Sequence, residues 1–90
     1  MNLQITDIAK EKLNQINEKN QPIKVKITGF SWGGPRFGIV SEKQYENDGI
    51  YNVENLNIIV DEDIEQSVLG LSIDYKEGHF NKDFEIKPLY

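Results

Sequence analysis

The stretch Ile23-Lys24-Val25-Lys26-Ile27-Thr28-Gly29-Phe30-Ser31-Trp32-Gly33-Gly34-Pro35-Arg36-Phe37-Gly38-Ile39-Val40 decides the fold of this chain. In its first six residues β-branched apolar side chains alternate with polar ones, the period-two signature of a half-buried strand with one wet face. Phe37-Gly38-Ile39-Val40 resumes a strand. Between them, residues 29–38 hold four of the seven glycines, one of the three prolines, the sole tryptophan and the sole arginine. This segment reads as a glycine-rich turn of defined shape. Gly33 and Gly34 permit positive φ or close backbone approach, and Pro35 biases Gly34 towards an extended conformation.

On the N-terminal side the period is different. Leu3 and Ile5 alternate with Asn2 and Gln4 as a short strand, and Thr6-Asp7 marks a helix start: a hydroxyl that accepts from an orphan N–H, followed by an acid in the positive first turn. Ala9, Leu13 and Ile16 recur at helical spacing, with Ile8 widening the stripe, and Asn20 and Pro22 end the helix. On the C-terminal side, polar residues 41–44 lead to the turn signal Asn47-Asp48-Gly49. A short strand at Ile50–Val53, a turn at Glu54-Asn55 and the most apolar strand, Leu56–Val60, follow. Asp61 caps a short helical turn through Val68, with acids in its first turn. Leu71–Tyr75 alternates as a strand, and Asp83–Ile86 is a last strand that Pro88 keeps from a sheet centre. Many short strands with frequent turns and one N-terminal helix give a mainly β (α+β) fold, a compact sandwich or pseudo-barrel of short mixed strands with the helix packed on it.

Ninety residues are the size of one domain, here 1–90. Fifteen acidic against ten basic side chains give a net charge of −5, which repels a phosphate backbone and argues against nucleic acid as partner. The longest apolar run is Ile58-Ile59-Val60, far short of the ~18–20 residues that span a bilayer. The start, Met-Asn-Leu-Gln-Ile-Thr-Asp, lacks a basic segment followed by an apolar one, so a cytoplasmic protein with no membrane association is expected. There is no cysteine and only one histidine. These residues alone cannot form a disulfide, a zinc–thiolate site, a cysteine nucleophile or a thiolate-bound iron–sulfur cluster. The serines at 31, 41, 67 and 72 show no nucleophile-elbow context, and an enzyme is not expected.

Taken in order, the chain resembles the HesB/IscA-like family, the A-type carriers of iron–sulfur cluster biogenesis. The resemblance covers nearly the whole length. It rests on Ile5-Thr6-Asp7 before the Ala9/Leu13/Ile16 helix, Lys24-Val25-Lys26-Ile27 before the glycine-rich turn, Leu56–Asp61, Leu69-Gly70-Leu71-Ser72-Ile73-Asp74-Tyr75, and the Phe80…Phe84-Glu85-Ile86 ending. It implies the family fold. It also implies three cysteine ligands, one at or beside Trp32 and a Cys-x-Cys pair beyond Ile86, and none is present in these ninety residues. No cofactor is therefore expected: the family implies an iron–sulfur cluster, and an indole supplies no soft ligand for iron.

Two candidate sites follow. Trp32, Gly33, Gly34 and Arg36 on the turn form a contact loop for protein partners, since Trp and Arg are favoured anchors. The competing reading packs Trp32 over the sheet and leaves Arg36 solvated, and the usual burial of large aromatics favours it for the indole. A metal or small-molecule site of oxygen and nitrogen ligands would use His79, Asp74 and the acidic turn 61–65. For that turn a capped helix is the simpler account, because the calcium-loop pattern is incomplete.

Overall fold

The computed structural model describes residues 1–78 and 82–90. Seven strands and two helices follow one another as β1 (Asn2–Ile5), α1 (Asp7–Glu18), β2 (Ile23–Ser31), β3 (Gly34–Val40), β4 (Gly49–Val53), β5 (Leu56–Val60), α2 (Glu62–Ser67), β6 (Gly70–Glu77) and β7 (Lys82–Leu89). They form two mixed sheets, one ordered β1-β6-β7 and the other β3-β2-β5-β4. β1 lies parallel to β6 and β2 parallel to β5, while the other neighbours are antiparallel.

Local chemistry explains the element boundaries. The Thr6 hydroxyl accepts from the Ala9 N–H and caps α1, and Asn20 ends it at φ 57°, a left-handed conformation that asparagine tolerates. Glu54 and Asn55 both take positive φ in the two-residue loop that joins Val53 to Leu56, as a primed hairpin turn requires. The Asp61 carboxylate accepts from the Asp63 N–H at the start of α2. Pro35 and Pro88, which have no N–H to donate, both sit on strands at the edge of their sheets.

The core lies where α1 and α2 close over the two sheets. Ala9 and Leu13 of α1 and Ile64 of α2 meet Ile23, Val25, Leu56, Ile58 and Val60 of one sheet and Leu71, Ile73 and Ile86 of the other. β5, with a strand on either side, buries four of its five side chains, which is why it is the most apolar strand. Among the described residues no helix is long and apolar enough to cross a membrane.

Three expectations need correction. Residues 29–38 are mostly the arms of a β-hairpin, with β2 extending to Ser31 and β3 beginning at Gly34. The glycines hid this, because their low strand propensity masks pairing that the neighbouring backbone imposes. Ile8 does not widen the buried stripe but stands exposed, since α1 covers the sheets along the line of Ala9, Leu13 and half-buried Ile16. Lys24 is not on a wet face: it is 1% exposed, covered by the segment that follows β3.

Candidate functional site

The β2–β3 hairpin keeps continuous register from Lys24↔Val40 to Ser31↔Gly34, interrupted by a bulge between Ile27 and Gly29. A bulge sharpens twist and re-aims the strand beyond it. Beyond it the hairpin loses its buried side chains and extends into solvent. Trp32 and Gly33 form the connection between the paired Ser31 and Gly34. The Ser31 hydroxyl donates to the Gly34 carbonyl at 3.3 Å, and Gly34 has φ 110°, a conformation that side-chain-bearing residues rarely adopt. Gly34 is therefore not in the ordinary extended conformation expected before Pro35.

Trp32 is fully exposed at 107% of its reference area, and Phe30, two residues earlier, is 80% exposed. The expectation that the indole packs over the sheet is thus overturned. At the tip of a hairpin that has run past the core there is no sheet surface beneath it. Arg36 is exposed on the returning strand, paired in register with Gly29, and makes no ion pair among the described residues. Trp32, Gly33, Gly34 and Arg36 thus share one exposed hairpin end. Beside it an open groove of about 920 Å³ separates the hairpin from β7, with Phe37 and Ile39 on one wall and Phe84 and Lys87 on the other.

Among the described residues, Asp74 and the acidic turn 61–65 are not brought together as a ligand set. Asp74 accepts from the Thr6 hydroxyl at 2.9 Å and the Tyr75 N–H at 2.7 Å, and pairs with Lys76 at 3.1 Å. The Thr6 hydrogen bond, followed by those of Tyr75 and Lys76, holds its carboxyl below the ordinary value, and Asp74 in turn raises Lys76. His79 lies outside the described residues. In the acidic turn, Asp61 caps α2, Glu62 accepts from the Gln66 amide, and Glu65 accepts from the Tyr51 hydroxyl. That phenol is pushed up to about 12, first by the hydrogen bond to Glu65 and then by burial. Among the described residues no three histidine or carboxylate groups converge on a point that could hold a metal ion. The donor set around the hairpin tip, an indole and backbone, contains no thiolate and does not fit an iron–sulfur cluster.

One cluster went unforeseen. The Lys24 ammonium lies 2.8 Å from the Asp48 carboxylate, 3.7 Å from Glu42 and 4.0 Å from Asp61. It also donates to the Lys43 carbonyl and sits 4.4 Å from the centre of the Tyr45 ring. Asp48, its side chain 4% exposed, accepts in addition from the backbone N–H groups of Tyr45 and Glu62. Burial is the largest single influence on Lys24 and would lower it; the hydrogen bond and charge of Asp48, with Asp61 and Glu42, outweigh burial and hold the ammonium above its ordinary value. Asp48 is held below its own, first by Lys24 and then by the Tyr45 N–H. Both groups are charged and their hydrogen bonds are used, so the cluster fastens residues 41–48 and the start of α2 to β2 and offers no free acid or base. The signal in the sequence was a lysine flanked by two core residues in an alternating strand, with an aspartate in the only Asn-Asp-Gly turn.

No protein-family model matches the chain. The iron–sulfur cluster insertion protein ErpA of Mannheimia succiniciproducens is 33% identical over 82 residues, covering 84% of this chain and 72% of that protein. ErpA of Erwinia tasmaniensis is 35% identical over 81 residues, with 84% and 71% covered. Among solved structures, IscA with its [2Fe-2S] cluster superposes with a TM-score of 0.72 at 15% identity, over 97% of this chain and 82% of that one. Escherichia coli SufA, involved in biosynthesis of iron–sulfur clusters, gives 0.73 at 15% identity over 96% and 79%.

Proposed function

Because the chain belongs to the HesB/IscA-like family of iron–sulfur cluster biogenesis proteins, we propose that it serves that process as a non-catalytic binding or accessory module. It presents the 29–38 hairpin to a protein partner and holds no cluster through thiolates of its own. One observation carries the reading: where the family resemblance implies a ligating cysteine, a fully exposed Trp32 stands on a hairpin tip, in ninety residues without a cysteine. Large exposed aromatics are costly to keep in water and are favoured as anchors once a partner covers them. Arg36, exposed a few residues further on, adds to the same end of the hairpin a cation with no ion-pair partner among the described residues.

Reconstitution with iron and sulfide, with and without oxygen, tests the reading by visible absorption and metal analysis. The expected result is protein without a stoichiometric chromophore. A stable chromophore at one cluster per chain or per dimer would refute it. The hairpin itself is tested by exchanging Trp32→Ala and Arg36→Ala into the chain and comparing recovery of associated proteins from its native host, where loss in both variants with unchanged folding is expected.

A further inference from the structure

The hairpin overhangs the body of the molecule as a hook. Residues 28–31 of β2 and 35–39 of β3 roof the groove of about 920 Å³, and residues 83–88 of β7 floor it. Side chains alternate along a strand, so Pro35 shares a face of β3 with Phe37 and Ile39, which pack against the core. Phe30 stands directly across from Pro35 in the register and prolongs that apolar face past the bulge, where it is 80% exposed. Arg36, out of step with Phe37, belongs to the opposite side, the back of the hook. The floor carries Phe84 and Pro88 beside Asp83 and Glu85. Its charges are unequally matched. Glu85 holds Lys87 at 3.1 Å, whereas exposed Asp83 and exposed Arg36 have no ion-pair partner among the described residues. One end of the molecule thus holds an aromatic projection and an aromatic-walled recess, an unmatched cation and an unmatched anion.

We propose that two copies of this chain clasp hairpin to hairpin about a two-fold axis, and that this self-association hides the hairpin until another partner displaces it. Each copy seats Trp32 and Phe30 in the groove of the other, with its Arg36 against Asp83 of the second copy. The regulatory half rests on the reading of the hairpin as the presenting element; the contact itself does not. Two interlocked hooks bring their inner faces together and set the back of each against the floor of the other, which is where Arg36 and Asp83 stand. A two-fold contact needs one surface that complements itself, and this end of the molecule supplies both halves. The groove volume, about 920 Å³, lies within the ~300–1,000 Å³ of sites that enclose small molecules, enough for two rings. Four rings at about 150–250 Å² each take roughly 600–1,000 Å² out of water, the scale of a transient contact. The net charge of −5 on each copy also opposes approach at long range. The clasp is therefore weak, with a Kd on the order of 0.1 mM, and yields to a tighter partner.

The test uses the full chain alone, from about 2 µM to about 1 mM, a range that brackets that affinity. Sedimentation velocity, Trp32 fluorescence and amide NMR shifts follow it. At the low end the expected result is a monomer with Trp32 open to acrylamide. At the high end a dimer is expected, with quenching reduced several-fold and shifts in residues 29–38 and β7 but not in β4, the far edge of the hairpin's sheet. Trp32→Ala should weaken the dimer about tenfold or more. Arg36→Glu and Asp83→Lys, both at exposed positions, should each weaken it several-fold. An equimolar mixture of those two variants should regain native association, because each contact across the axis then again joins opposite charges. A monomer throughout, a dimer indifferent to Trp32→Ala, a mixture that stays monomeric or shifts centred on β4 would each overturn the proposal. So would shielding of Trp32 by phosphatidylcholine vesicles at concentrations where the chain is monomeric, which would make a lipid surface the occupant. Recovery of proteins from the native host reads a separate property, so the clasp can fail while the proposed function stands, and the reverse.

Discussion

Replacing Lys24 by Met keeps most of the side-chain volume of a residue that is 1% exposed and removes its charge. The Asp48 carboxylate then remains 4% exposed, having lost the cation 2.8 Å away while keeping two backbone N–H donors. Removing one member of a buried pair costs about 3–5 kcal/mol, because the other charge is left without compensation. The retained N–H bonds put the expected loss towards the lower end, about 3 kcal/mol. Against a total stability of roughly 5–13 kcal/mol for a domain this size, that is a large fraction, and Tm should fall by about 12 °C or more. Urea and thermal unfolding followed by far-ultraviolet circular dichroism measure it; Trp32, already in solvent in the folded state, is a poor reporter. The pH dependence has a definite sign. Asp48 is depressed in the folded chain, so its contribution is present above the ordinary carboxylate value and is lost as pH falls through its folded value. Lys24 is raised, so its contribution is complete below 10.5 and is lost as pH rises through its folded value. Lys24→Met should flatten both limbs, while Lys24→Met with Asp48→Leu should recover part of the loss. A single variant within about 0.5 kcal/mol of the native chain, with an unchanged acid limb, would refute the account of this cluster.

Trp32→Ala should leave stability within about 0.5 kcal/mol of the native chain, and acrylamide should quench the native fluorescence nearly as readily as free indole; a shielded Trp32 would contradict its placement. Gly34→Val should cost roughly 1–3 kcal/mol, because φ 110° strains any side chain, and denaturant unfolding measures it. In an ultraviolet pH titration one tyrosine should ionise at about 12, and Tyr51→Phe should remove that step. Since the phenol is raised in the folded state, its contribution to stability should be lost as pH rises from 10 towards 12. Leu13→Ala, at a fully buried position between helix and sheets, should cost about 2–5 kcal/mol in the same unfolding assay.

What was legible in the sequence was what neighbours in the chain determine. Thr6 and Asp61 announced their caps, Asn20 its stop, Glu54-Asn55 its turn and Leu56–Val60 its burial, each through chemistry within a few residues. The site was legible in composition and not in conformation. Trp32 and Arg36 were marked by rarity, but whether an indole packs depends on where the sheet ends, and that is set by β5 and β7, far along the chain. The pairing of Gly29 with Arg36 was hidden because glycine carries no side chain to show a period. Lys24 looked like an ordinary wet-face residue of an alternating strand; its burial depends on Glu42, Asp48 and Asp61, which only folding brings to it.

The parallel pairing of β1 with β6 also sets the order in which this molecule can assemble. The Thr6 hydroxyl that caps α1 also donates to Asp74, 68 positions away, and β1 is held by the same distant strand. Loop-closure entropy for a contact of that span must be met before the contact gives anything back. The hairpins β2–β3 and β4–β5 can close first, as local events of microseconds. The strand β1, although it precedes every other element in the order, is then expected to be among the last seated, because its only strand partner is the distant β6.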